Sequence, residues 1–220
     1  SGIATGGADL LIGGAGDDDI YGDGRTDGVL SGGSDEVFGN DGNDLLYGDG
    51  IAIDAVVGGD DRIDAGDGDD TVFGDGSATG ARHSGGTLAG GNDWIDAGAG
   101  DDLVYGDGSA SYSYALGGGP SSKTGDDVIF AGTGDDLIYG DGALSGEYDA
   151  SFYACADKID AGAGDDTIYA DFFVDTYELN SAVNGDDLVR GGAGDDLMWG
   201  DSVIESVIIN GLRGGADAFV

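Results

Sequence analysis

The sequence predicts an all-β solenoid of about seven and a half stacked coils, and three observations predict it. The nine-residue stretch Gly13 to Tyr21, GGAGDDDIY, recurs as GNDGNDLLY from Gly39, AGDGDDTVF from Ala65, AGAGDDLVY from Ala97, AGTGDDLIY from Ala131, AGAGDDTIY from Ala161 and GGAGDDLMW from Gly191. Every copy has glycine at its fourth position, aspartate at its sixth, an aliphatic residue or methionine at its eighth and an aromatic at its ninth; the second is glycine everywhere except at Asn40. Between copies lies a second, split copy, in which Gly22-Asp23-Gly24 opens a frame that resumes at Gly33-Ser34-Asp35, with residues 25 to 32 inserted. The split recurs from Asp49 to Asp61, Asp75 to Asp93, Asp107 to Asp127, Asp141 to Asp157, Asp171 to Asp187 and Asp201 to Asp217.

Each element of a coil follows from its residues. The glycines permit positive backbone angles, so the chain turns tightly enough for carbonyl oxygens to face inward. The sixth-position aspartate adds anionic oxygen to those carbonyls, and hard oxygen ligands on a flexible loop suit calcium; magnesium holds its water and zinc prefers nitrogen or sulfur. The next three residues alternate outward, inward, outward, as a short strand requires. Two strands and two turns make a coil, one turn compact and the other looped, with every insertion on one edge. The inward rows are Leu11, Val37, Ile63, Ile95, Ile129, Ile159, Val189 and Phe219 on one wall, and Ile20, Leu46, Val72, Val104, Ile138, Ile168 and Met198 on the other. With about one core residue per strand, metal binding has to supply much of the folding free energy.

The repeat resembles the G-G-x-G-x-D-x-U-x nonapeptide of the RTX, or haemolysin-type calcium-binding, proteins. That resemblance covers nearly the whole chain. It implies a parallel β-roll with calcium held between successive turns by sixth-position aspartates and turn carbonyls, and a secreted bacterial protein that leaves by type I secretion without an N-terminal signal.

Composition supplies limits. With 49 glycines, 45 acidic and 7 basic residues, the formal net charge of −38 would make a compact chain self-repulsive without cations. About a dozen calcium ions would offset much of it. Nucleic acid and anionic membrane are poor partners for such a surface, and no apolar run is long enough to span a bilayer. The lone Cys155 excludes an internal disulfide. Extracellular modules bind calcium at roughly 0.1 to 1 mM, so the chain is expected to stay unfolded inside the cell and fold outside or at the cell surface. Residues 1–220 read as one β-roll domain, expected to be part of a longer secreted protein, with uncapped terminal coils that invite self-association.

The expected calcium ligands are Asp18, Asp44, Asp70, Asp102, Asp136, Asp166 and Asp196 at the compact edge and Asp9, Asp35, Asp61, Asp93, Asp127, Asp157, Asp187 and Asp217 at the looped edge. Asp23, Asp49, Asp75, Asp107 and Asp141, from the Gly-Asp-Gly triplets, join them; Asp171 and Asp201 are set apart because Phe172 and Ser202 replace the third glycine, and the site at Cys155 is doubtful because a turn glycine is replaced there. The ninth-position row, Tyr21, Tyr47, Phe73, Tyr105, Tyr139, Tyr169 and Trp199, should stack along an outer face. Apolar segments of the insertions, among them Tyr112 to Leu116, are expected to fold back over it; the alternative is an adhesin-like strip that binds carbohydrate or protein. Catalysis has little support, since His83 lacks a nucleophilic or basic partner. The expected function is a calcium-binding scaffold linked to secretion, not an enzyme.

Overall fold

The structure is a computed structural model that describes residues 2–80, 87–112, 121–146, 150–209 and 211–220. All of its ordered elements are strands, and every strand pairing is parallel. One wall of the roll is an eight-stranded sheet running from Leu10–Ala15 through Glu36–Asp41, Arg62–Asp67, Trp94–Ala99, Val128–Thr133, Lys158–Ala163 and Leu188–Ala193 to Ala218–Phe219. The facing wall has seven three-residue strands, from Asp19–Tyr21 to Leu197–Trp199. Register follows the repeat: Ile63 pairs with Val37 and Ile95, and Val72 with Leu46 and Val104.

The inward rows meet as expected. Val37, Ile63, Ile95, Ile129, Ile159 and Val189 pack against Ile20, Leu46, Val72, Val104, Ile138 and Ile168, with Ala65, Ala97, Ala131 and Ala161 filling the space beside the compact turns. At the two terminal coils the row is looser: Leu11 and Met198 are partly buried, and Phe219 is half exposed.

The insertions depart from expectation in part. Among the described residues their strands, together with Ile3–Thr5, form a third sheet of fourteen strands, while Phe173 does reach the aromatic row at Tyr139 and Tyr169. Each insertion leaves the roll on a short strand such as Gly50–Ala52 and returns on another such as Ala55–Val57; leaving strands stack on leaving strands and returning on returning. The long strand Phe173–Val183 belongs to both ladders and joins them. Leu30, Val56, Leu88, Leu144, Phe152, Phe172 and Val174 fill a second core between the ladders, separate from that of the roll. Apolar residues of the insertions therefore pack on one another, coil by coil. His83 and residues 113 to 116 lie outside the described residues.

Candidate metal centre

The compact turn is built around two positive backbone angles per copy. Gly66 and Gly68 have φ of 114° and 138°, Gly132 and Gly134 of 104° and 140°, and Asn40 takes the same region at 81°. These angles aim the sixth-position side chain back into the turn. Its Oδ1 accepts the backbone N–H of the sixth-position aspartate one coil earlier: Asp44 N–H donates to Asp70 Oδ1 at 2.8 Å, and Asp102 N–H to Asp136 Oδ1 at 2.9 Å. The looped edge repeats this ladder, with Asp35 N–H on Asp61 Oδ1 at 2.7 Å and Asp93 N–H on Asp127 Oδ1 at 2.8 Å.

From Asp44 to Asp196 at the compact edge and from Asp35 to Asp217 at the looped edge, one oxygen of each carboxylate is thus committed to protein. The other is left over. Oδ2 of Asp18, Asp44, Asp70, Asp102, Asp136 and Asp166 at the compact edge, and of Asp35, Asp61, Asp93, Asp127, Asp157 and Asp187 at the looped edge, is buried without a hydrogen-bond partner. A buried charged oxygen left unpaired is among the most unfavourable things a fold can contain. Rows of them in register, each facing a turn lined with carbonyls, fit a hard divalent cation as counter-charge. Asp9 is exposed and Asp196 and Asp217 are half-buried, each having a neighbouring coil on one side only.

The triplet aspartates reach across the insertions. Asp23 accepts the N–H groups of Gly7 and Gly33 at 3.0 and 2.7 Å, and Asp49 accepts that of Gly59 at 3.1 Å, closing the turn that the insertion opens. Oδ1 of Asp49 and Oδ2 of Asp107 and Asp141 are again buried and unpaired. Three groups converge, Asp9 with Asp23 and Asp35, Asp35 with Asp49 and Asp61, and Asp61 with Asp75 and Asp93, each offering three ligand oxygens within 4.8 Å of one another. A side chain at the first glycine of these turns would fill the cradle: a Cβ on Gly48 would lie 1.8 Å from the Gly74 carbonyl oxygen and 2.2 Å from Asp61 Oδ2.

Electrostatics distinguishes the edges. Burial, and then neighbouring carboxylates, push Asp49 up to about 8 and Asp61 to about 7, and hold Asp75, Asp93 and Asp107 well above the usual carboxylate range. At the compact edge burial raises Asp70 and Asp136 to about 6 and Asp102 to about 7, partly offset by the backbone hydrogen bond each accepts; Asp35 of the looped edge stands at about 6, so the triplet aspartates make the difference.

Two reservations from the sequence concern residues that the structure places with the rest. Asp171 is fully buried, accepts the Gly185 N–H at 2.8 Å and leaves Oδ2 unpaired, as Asp107 does with Gly125. Cys155 keeps the main-chain role of the glycine it replaces, its N–H donating to Asp141 at 3.3 Å while its thiol turns to the Thr124 carbonyl. Asp201 is exposed and bonded to Gly215 and Asn184.

The aromatic row stacks from Tyr21 to Trp199 with centroids 4.6 to 5.1 Å apart and planes within 3° to 11° of parallel. Neighbours cover the faces of every internal ring, so the ladder offers edges and hydroxyls rather than the faces on which a sugar would stack. Tyr47 and Phe73 are buried and the others half-buried. Phe173 meets Tyr139 and Tyr169 edge-on, and the Arg25 guanidinium lies 4.6 Å from the Tyr21 ring.

The family model for the RTX calcium-binding nonapeptide repeat matches residues 3–27, 30–50, 57–78, 89–110, 122–143, 156–177 and 181–202, dividing the chain by coil as the structure does. No curated protein and no solved structure matches the chain. No described helix is long and apolar enough to cross a membrane. With parallel coils, glycine turns at positive φ and rows of buried carboxylate oxygens in search of a hard cation, the chain belongs to the RTX calcium-binding nonapeptide-repeat family, and calcium ions are its cofactor.

Proposed function

We propose that the chain is a scaffold whose folding is triggered by calcium, held by the sixth-position aspartates of both edges together with Asp23, Asp49, Asp75, Asp107, Asp141 and Asp171. The observation that carries this reading is the row of buried, unpaired carboxylate oxygens repeated at the same place in successive coils. Bound calcium would supply the positive charge that those oxygens lack, and the chain's own part is to orient them: the backbone N–H ladder fixes one oxygen of each aspartate and thereby directs the other. Folding is tied to secretion in this reading. Repeats of this family are typical of secreted bacterial proteins, and a chain of net charge −38 cannot compact where free calcium is scarce. Residues 1–220 act as one unit, since both cores run the length of the same stack.

Circular dichroism tests the trigger. In EGTA at about pH 8 the chain should give a coil spectrum at any sodium chloride concentration, and millimolar calcium, not magnesium, should restore β-structure. A β spectrum that persists under complete chelation at low salt would refute the trigger.

A further inference from the structure

We propose that the looped edge holds a distinct class of calcium site, a triad of carboxylates bridging the insertions that follow Asp23, Asp49 and Asp75, and that it fills before the compact edge. This rests on the reading of the buried carboxylates as calcium ligands. In the triad Asp35, Asp49 and Asp61 the three side chains are buried and bring ligand oxygens within 4.8 Å of one another; Oδ1 of Asp49 and Oδ2 of Asp35 and Asp61 have no hydrogen-bond partner. The next triad shares Asp61 and adds Asp75 and Asp93. Because sixth-position aspartates are shared between triads, each coil contributes two carboxylates to the looped edge, Asp49 with Asp61 and Asp75 with Asp93, and these balance one divalent ion per coil. The compact edge contributes one buried carboxylate per coil, Asp44 or Asp70, which balances half of that charge.

Calcium affinity rises with the charge and rigidity of its ligand set. The looped edge has both. In the folded turn Asp49 is anchored through Oδ2 by the Gly59 N–H, Asp75 by the Gly91 N–H and Asp61 by the Asp35 N–H, so three side chains from three places in the chain are held in one orientation around the ion. Asp49 and Asp61 lie on either side of the insertion at residues 51 to 58, so a filled triad ties its two ends and fixes where its strands leave and return. The order of filling is therefore also an order of assembly, with the third sheet set in place as the first ions bind.

The experiment is a calcium titration of the full chain by calorimetry against a competing chelator, comparing the wild type with Asp49→Asn/Asp75→Asn and with Asp44→Asn/Asp70→Asn. Asparagine retains the oxygen that accepts the Gly59 N–H and removes the charge. The looped-edge pair should weaken the earliest uptake by about tenfold or more; the compact-edge pair should leave it in place and weaken the later uptake. If uptake is one cooperative step, the looped-edge pair should move its midpoint further. Equal effects, or early uptake lost in the compact-edge pair, would overturn the proposal and leave the ligand reading standing. No uptake by the wild type, or uptake unchanged in both variants, would overturn the ligand reading and the proposal with it. Terbium luminescence at less than one ion per chain supplies a second readout: it should fall in the looped-edge pair and persist in the compact-edge pair, and the reverse would overturn the proposal.

Discussion

The two edges of the roll solve one geometric problem with different materials. At the compact edge, glycines at positive φ make the turn and a single row of carboxylates points into it. At the looped edge the turn is cut by an insertion and rejoined through an aspartate side chain, Asp23 to Gly33 or Asp171 to Gly185, so a hydrogen bond replaces backbone continuity. Of the triplet glycines there, Gly24 and Gly50 have positive φ while Gly76, Gly108 and Gly142 do not. The compact edge therefore depends on backbone conformation and the looped edge on charge, which makes the looped edge the more responsive to anything that competes for its carboxylates.

Removing calcium should abolish the difference by unfolding both edges, the largest effect expected. Acid should separate them. A carboxylate whose folded-state pKa is raised favours the folded state while it is protonated, and that contribution is lost as pH rises through the folded pKa. In calcium-free buffer, then, β-structure should increase as pH falls from about 8 toward about 4. In calcium the sign reverses, because protons compete with the ion: the calcium midpoint for folding should rise as pH falls from about 8 to about 6. The looped edge, whose triplet aspartates Asp49 and Asp171 are pushed up to about 8, should lose ions at higher pH than the compact edge, where Asp70 and Asp136 stand at about 6 and Asp102 at about 7. Site-resolved hydrogen exchange across that range, showing both edges opening together, would remove the distinction.

Truncation in the two cores compares what each edge supports. Phe152→Ala in the third sheet and Ile138→Ala in the roll should each cost about 2 to 5 kcal/mol by chemical denaturation in saturating calcium. A single transition in both variants would show that the third sheet folds with the roll. Gly134→Ala is expected to cost about 1 to 3 kcal/mol, since its φ is 140° and a Cβ would lie 1.8 Å from the Gly100 carbonyl oxygen. The smallest effect belongs to Asp101, exposed at the compact edge, whose Oδ1 accepts the Asp135 N–H at 2.9 Å. Asp101→Ala should cost about 1 kcal/mol and Asp101→Asn close to nothing, with calcium affinity unchanged in the latter, because Asn43 makes the same bond to Asp69.

The repeat frame was readable because it recurs: positions four, six, eight and nine alone place the positive-φ turns, the aspartate rows, the roll core and the aromatic ladder. The third sheet was not. Its strands include Gly76-Ser77-Ala78 and Gly108-Ser109-Ala110, which carry no β-branched residue and no alternation strong enough to announce a strand. They are extended because the coil above and the coil below are extended. Phe172 misled for a related reason. A glycine in that place suggests a need for positive φ, yet Gly108 and Gly142 adopt none, and Phe172 uses the freedom to bury its ring against Phe152 in the second core. The hydrogen bond that Asp101 makes between coils is likewise a pairing that position along the chain does not reveal.

Coils of unequal length are held in one even stack. Equivalent aspartates are 26 residues apart between Asp18 and Asp44, 34 between Asp102 and Asp136, and 30 between Asp136 and Asp166. Pulled by its ends along the axis, such a rod loads the hydrogen bonds between coils one layer at a time, as a zipper does, and yields coil by coil. At about 3.4 Å per extended residue, each rupture releases a tether of roughly 90 to 115 Å. A single-molecule force trace would therefore show steps of unequal length, with the longest from the middle of the rod, so that the order of the steps reports where the stack gave way.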